Sequence, residues 1–338
     1  MYNAAVRVSE IGEFGLIDRL QQEFSGPAPG IVIGIGDDTA VWRSSGLALA
    51  TTDTLVEDVH FRFATITWEE LGWKSLAVNL SDIAAMGGEP QYALLTLGLP
   101  GDAEVEGILT MARGLAAAGR EFNTAVIGGD IVGSPRAMFV TVALYGAIPE
   151  DEHASPLLRS AARPGDLVGV TGWLGRSAAG FHLLSGERQA PREALAELRR
   201  AHNRPWPRVK EGPLLRQLGV KAALDISDGL AGDAGHMAQM SGVGVRLRAE
   251  ALPVHPLVKQ TFGEQAFALA LTGGEEYELL FAAPPEVLAR AREALNELGT
   301  PVTVVGEVVA EPAGQVLLAW PDGRAEPVEK GGWDHFRG

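Results

Sequence analysis

Strand-like apolar runs alternate with segments of helical periodicity along nearly the whole chain, and that alternation admits few folds other than layered α/β ones. Ile11, Phe14, Leu16, Ile17 and Leu20 predict a first helix, followed by the strand-like IVIGIG and LALATTD. Trp73, Leu76, Ala77 and Leu80 mark the buried face of a second helix, expected to end near Asn79 to Asp82. YALLTLGL reads as a strand, DAEVEGILTMARGLAAAG as a helix, AVIGGD as a short strand with its exit loop, and AMFVTVALYGA as a longer strand. From Ile148 to Asp166 the chain carries Pro and charge with little periodicity, so a domain boundary is placed there, giving residues 1–150 and 151–338. The alternation then resumes through LVGVTG, GRSAAGFHLL, REALAELRRAH, AALDISDG, HMAQM, VRLRA, YELLFAA, EVLARAREALNELG and PVTVVGEVV. A chain of 338 residues suits two such domains, each with its own core.

Acidic residues collect where these elements stop: Asp38 in GIGDD, Asp53 in ATTDT, Asp82 in NLSDIAAMGG, Asp130 in VIGGD, and Asp225 with Asp228 in ALDISDGL. Strand ends of open α/β sheets are where ligands bind. Any one Asp beside Gly or Ser is ordinary turn or N-cap chemistry, and Asp228 alone reads as a helix cap. Repetition of the arrangement, nearly always with Gly beside it, points to a shared site. Carboxylates that meet in space repel one another and require a cation. With few Lys or Arg in these motifs, the cation is expected to be a metal, and carboxylates with the hydroxyls of Thr51 and Thr52 suit Mg²⁺ bridging to phosphate. The histidines show no metal-ligand spacing, and His236, flanked by Met, is read as core.

Composition removes other classes. A net charge of -15 opposes nucleic-acid and anionic-membrane binding, and no uncharged apolar run is long enough to span a bilayer, so a cytoplasmic protein is expected. With no cysteine, thiolate catalysis, disulfides and Cys-held metals are excluded. The usual nucleotide motifs, G-x-x-x-x-G-K-[ST], a complete G-x-G-x-x-G and the kinase H-R-D and D-F-G set, are all missing. The turn TGWLGRSAAGF at 171–181 is a candidate anion-facing helix start, although helix-to-sheet packing explains its small residues equally well.

In order, GIGDDTAV, TTDTLVEDVHF, KSLAVNLSDIAAMGGEP, IGGD, LRSAARPGD, LDISDGL, GGEEYELLF and the terminal GWDHF resemble the thiamine-monophosphate kinase family of the aminoimidazole ribonucleotide synthetase superfamily. The resemblance implies an N-terminal α/β domain that binds ATP and Mg²⁺ and whose strands build a β-barrel in a homodimer. It also implies a C-terminal α/β domain that completes the active-site cleft, and ATP with several Mg²⁺ per site. Carried over position by position, Asp38, Thr51, Thr52, Asp53, Asp82, Asp130, Asp225 and Asp228 correspond to metal ligands. Gly129, Asp130, Arg159 and Ser227 correspond to ATP contacts; Asp53, Asp130 and Arg159 serve the chemistry. His60, Glu275 and Trp333 correspond to the pocket for thiamine monophosphate. The bland readings are an exposed loop histidine for His60, a C-terminal core anchor for Trp333 and a linker ion pair for Arg159. Glu276 stands where the family usually has Asp, which leaves open which of Glu275 and Glu276 faces the substrate.

The implied reaction suits these residue types, because two polyanions must be neutralised and aligned and the accepting phosphate oxygen is already ionised near neutral pH. Other members of the superfamily are the alternative: the selenophosphate-forming and hydrogenase-maturation enzymes call for a cysteine that is missing here, and aminoimidazole ribonucleotide synthetase lacks the full motif set. A non-enzymatic divalent-cation-binding protein is the alternative from another class, but no EF-hand spacing is present.

Overall fold

A computed structural model describes residues 6–24, 30–33, 41–42, 45–151 and 155–328. They form two units, one of residues up to 83 together with 89–150, the other of 84–88 together with 151 onward.

The first unit contains α1 (Val8–Glu23), β1 (Ile31–Ile33), β2 (Val41–Trp42), β3 (Leu47–Val56), α2 (Trp68–Ala85), β4 (Glu89–Leu99), α3 (Val105–Glu121), β5 (Ala125–Gly133) and β6 (Phe139–Ile148). β1 and β2 pair on their own, and the remaining strands form a sheet in the order β3-β6-β4-β5, with only β4 and β5 parallel. Burial alternates along β6: Val140, Val142 and Leu144 are enclosed while Thr141, Ala143 and Tyr145 are half-exposed. That two-residue period marks a sheet with one face on the core. Leu76, Leu80 and Ile83 of α2 and Ile108, Met111 and Leu115 of α3 are buried with the inward strand residues.

Two boundaries differ from the sequence expectation. Helix α2 runs past Asp82 to Ala85, because Ile83, Ala84 and Ala85 keep its buried face going until the glycine pair breaks it. β5 continues through Gly128, Gly129 and Asp130, which align with Leu94, Leu95 and Thr96 of β4, so the GGD is strand and not exit loop. A Cβ on Gly129 would lie 1.8 Å from the Leu95 carbonyl oxygen, which is why glycine alone fits there. YALLTLGL and AMFVTVALYGA, within β4 and β6, are the interior strands, and the sheet edges are β3 and β5.

The second unit contains β7 (Leu167–Thr171), α4 (Arg176–Leu184), α5 (Arg192–Asn203), α6 (Glu211–Gln217), β8 (Ala222–Asp225), α7 (Leu230–Ser241), β9 (Gly244–Arg248), α8 (Pro256–Phe262), α9 (Gln265–Thr272), β10 (Leu279–Ala283), α10 (Pro285–Glu297), β11 (Val302–Val309), β12 (Val316–Ala319) and β13 (Ala325–Pro327). The strands order as β13-β12-β9-β11-β7-β10-β8, antiparallel except for β9 with β12. Strand β10 reads LLFAA because both its faces are covered. Leu280 and Ala282 share a core with Ala179, Leu198, Met237 and Val258, while Phe281 and Ala283 share another with Leu215, Leu288 and Leu295. Arg216, fully buried, ties 84–88 into this unit: Nε donates to the Gly87 carbonyl at 3.1 Å, and the two terminal nitrogens donate to Asp151 at 3.0 and 3.3 Å. Among the described residues no helix is long and apolar enough to cross a membrane.

Candidate active site

Each unit brings acids together. In the first, Thr51 and Asp53 lie on the sheet face that carries the core, and Asp82 comes to them from the last turns of α2. The Thr51 hydroxyl donates to Asp82 Oδ2 at 2.6 Å. Burial, then the charge of Asp82 and a hydrogen bond to it, push the Asp53 carboxyl up to about 6. Thr52 alternates to the opposite, exposed face, so its hydroxyl does not join this group. Asp130 is exposed on β5, with β6 and β4 intervening. At about 4.8 Å per strand, Asp53 and Asp130 hang from backbones roughly 14 Å apart, too far for one Mg²⁺ to touch both. His60 closes the turn after β3, its Nδ1 accepting from the Val56 amide at 3.1 Å, which leaves the ring proton of the neutral form on Nε2.

In the second unit, β8 delivers Asp225, and the following turn delivers Ser227 and Asp228 before α7 begins. Helix α7 adds two residues that the sequence analysis missed or misread. Asp233, enclosed on the first turn, accepts from the Asp228 amide at 3.0 Å, and His236 Nε2 lies 3.6 Å from Asp228 Oδ2. Asp228, Asp233 and His236 bring ligand atoms within 4.8 Å of one another. His236 is therefore exposed beside an acid and not a core residue; the signal was the i, i+3 spacing of Asp233 and His236, which puts both on one helix face. Burial, then the charges of Asp225 and Asp228, raise the Asp233 carboxyl to about 8, against the Asp228 N–H and the cationic Arg159. Arg159 is exposed, and its carbonyl accepts from Ser241 at the end of α7 at 2.9 Å.

The GGEEYELLF segment lies directly against this turn. Glu275 N donates to the Ser227 carbonyl at 2.7 Å and Tyr277 N to that of Ile226 at 2.9 Å, while Leu279 of β10 pairs with Asp225. The three acids of GGEEYE then take three different places. Glu278, enclosed, receives both arms of Arg208 at 2.6 Å, Arg176 at 2.9 Å and the Thr171 hydroxyl at 2.8 Å. Glu276, also enclosed, accepts from Ser177 N at 3.1 Å at the start of α4, so an internal carboxyl group already occupies the helix N-terminus that TGWLGRSAAGF suggested for an anion. The small residues of that motif serve helix-to-helix packing: a Cβ on Gly180 would lie 2.1 Å from the Leu198 carbonyl of α5. Glu275 is the accessible one, its side chain about one-third exposed, with Oε2 3.3 Å from His202 Nδ1. Asp38 and Trp333 lie outside the described residues.

Hard oxygen donors, crowded until burial and mutual charge raise Asp53 and Asp233 well above the carboxylate range, fit Mg²⁺ in both units. The chain matches AIR synthase related protein, N-terminal domain, over residues 36–148 and AIR synthase related protein, C-terminal domain, over residues 163–319, and belongs to this family. Within it, the chain is 37% identical over 330 residues to thiamine-monophosphate kinase of Salmonella typhimurium, covering 96% of this chain and 98% of that one. The structure of thiamine-monophosphate kinase from Stenotrophomonas maltophilia K279a superposes with a TM-score of 0.81 at 33% identity, covering 94% of this chain and 98% of that one. That of AaThiL complexed with AMPPCP and TMP superposes with a TM-score of 0.76 at 35% identity, covering 99% and 100%.

The enclosed Glu276 has a consequence for stability. Burial lifts its carboxyl from 4.5 to about 8, against the nearby Arg176 and the N–H groups of Ser177 and Gly175. The folded chain thus keeps a proton that the unfolded chain loses near pH 4.5, and folding stability falls as pH rises from there to about 8. Glu276→Gln keeps an acceptor for both amides and removes the titration. Its melting temperature, followed by scanning calorimetry from pH 5 to 8, is expected to decline less steeply than that of the wild type; equal slopes would contradict the assignment.

Proposed function

We propose that the chain transfers the γ-phosphoryl group of ATP directly, in line, to the phosphate of thiamine monophosphate, giving thiamine pyrophosphate and ADP. The observation that carries this reading is the clamp between ALDISDGL and GGEEYELLF, which seats an oxygen-rich cluster beside the accessible Glu275. The near full-length likeness to thiamine-monophosphate kinases, one of them described with AMPPCP and TMP, supports it.

In this reading Asp38, Thr51, Asp53, Asp82, Asp130, Asp225 and Asp228 hold several Mg²⁺, with Thr52 contributing through its backbone and Asp233 joining from α7. Asp53 and Asp130, three strands apart, serve different ions. Bound Mg²⁺ neutralises and aligns the two polyanions. Arg159 offers its fork of donors to a phosphate and stabilises charge during transfer, while Gly129 and Ser227 border the nucleotide. His60, Glu275 and Trp333 contact the organic part of thiamine monophosphate, the indole facing its cationic thiazolium. Glu276 is structural. Nothing in the set acts as a general base, and a phosphate monoester with a second pKa of about 6 needs none.

The protein is proposed to act in the cytoplasm as a homodimer joined through the first unit. Edge strands β3 and β5 and the half-exposed sheet face bearing Tyr145, Leu94 and the exposed Val132 supply the surface for a shared barrel. Light scattering is expected to give twice the chain mass, and a monomer at micromolar concentration would rule the dimer out.

The reaction is tested by ADP release and labelled product. Thiamine monophosphate is expected to be converted and thiamine, which must lose a hydroxyl proton, left unreacted. Asp53→Asn and Asp130→Asn are each expected to lower kcat about a thousandfold, from several kcal/mol of lost charge stabilisation, with unchanged circular dichroism. Near-normal turnover in either variant removes that residue from the site, and phosphorylated product from thiamine at a comparable rate reveals a base.

A further inference from the structure

Glu275 is held in a conformation that a glutamate does not adopt unaided. Its φ of 61° lies in the left-handed region, as does the 54° of Tyr277, and residues without a backbone preference for that region stay there only when their surroundings fix them. The backbone is fixed by the two hydrogen bonds to Ser227 and Ile226. The side chain is met by His202, near the end of α5, whose ring is almost fully buried. Two oxygens approach one nitrogen of that ring: Glu275 Oε2 at 3.3 Å and the Ser177 hydroxyl at 3.0 Å from Nδ1. A bare Nδ1 lone pair beside a carboxylate oxygen is repulsive, so the carboxylate selects the tautomer that carries its proton on Nδ1. Helix α5 can bring His202 this close to Ser177 only because Gly180 lets the two helices touch, a Cβ there lying 3.1 Å from His202 Cβ.

We propose that His202 is a positioning residue for thiamine monophosphate, donating from Nδ1 to Glu275 and fixing that carboxylate toward the aminopyrimidine and thiazolium part of the substrate. The proposal rests on the reading that Glu275 contacts the substrate. The chemistry suits an organic cation bearing an amine: a fixed carboxylate accepts from the amine and balances the ring charge, and fixing it beforehand removes rotamer entropy that binding would otherwise have to overcome. The Nδ1 of His202 meets Glu275 and Ser177, so its effect is expected on thiamine monophosphate and not on ATP.

The test is steady-state kinetics of the full-length protein, varying thiamine monophosphate and ATP separately, for His202→Leu, His202→Asn, Glu275→Gln and the double variant His202→Leu with Glu275→Gln. His202→Leu is expected to raise KM for thiamine monophosphate about tenfold, the scale of one hydrogen bond to a charged group, with KM for ATP within twofold. Asn, whose amide superposes on Nδ1, is expected to restore most of the loss. Because His202 acts through Glu275, the double variant is expected to match Glu275→Gln alone. Should Leu prevent folding, His202→Gln, whose donor sits one bond too far out, replaces it with the same expectation. Unchanged KM in His202→Leu alongside a raised KM in Glu275→Gln overturns the role of His202 alone, as do additive effects or parallel rises for both substrates. Unchanged KM in Glu275→Gln overturns the reading on which the proposal rests.

Discussion

The ion pair between Glu278 and Arg208 governs the geometry of the second unit's site. Both arms of the guanidinium meet both carboxylate oxygens at 2.6 Å in a place with almost no solvent. A buried carboxylate stripped of such a partner costs on the order of 3–5 kcal/mol, so the pair must form wherever the chain folds. Around it, Arg176 reaches in from the start of α4, Thr171 from the end of β7, and Arg208 itself approaches Glu211 and Thr300. One acid therefore locks the entry to β10 against three other segments. Everything proposed for Glu275 and Glu276, three and two residues earlier, depends on that entry point being immovable.

With the loop locked, its remaining acids are sorted by surroundings. Glu276 faces the amides that open α4 and stays protonated; Glu275 turns outward, braced by His202. Across the same turn Asp233 has surroundings of the opposite kind: the charges of Asp225 and Asp228 raise its carboxyl, with the Asp228 N–H and the cationic Arg159 acting against them. The first unit repeats this pattern with Asp53 and Asp82. Acids packed this way are unfavourable in the bare chain and become favourable when a divalent cation joins them, which is the physical content of the proposed function.

Much of this was legible in the sequence because it rests on local rules. The alternation of elements and the place of Asp225 at the end of β8 follow from periodicity and turn chemistry, and the family was carried by motif order, whereas Asp53 and Asp130, expected where strands stop, lie inside β3 and β5. The errors have a common cause. The end of α2 was put too early because Asp82 looked like a stop, when burial of Ile83 to Ala85 carries the helix on. Gly128 to Asp130 looked like a loop because Gly pairs usually are, but the constraint on Gly129 comes from Leu95, more than thirty residues away in sequence. His236 was assigned to the core from its Met neighbours, though Asp233 three residues earlier marked a polar face. The division of labour among Glu275, Glu276 and Glu278 depends on partners from α4, α5 and the 208–211 turn, none of which local sequence can supply.

The proposed activity requires that the two acidic clusters hold divalent cations that carry nucleotide. Isothermal titration of the wild-type protein with AMPPCP, in Mg²⁺ and again in excess EDTA, measures that directly. Saturable binding in Mg²⁺ that vanishes in EDTA, and that is lost in Asp82→Asn and in Asp228→Asn alike, is the result expected. Binding of equal strength without the metal, or indifference to both substitutions, would contradict it.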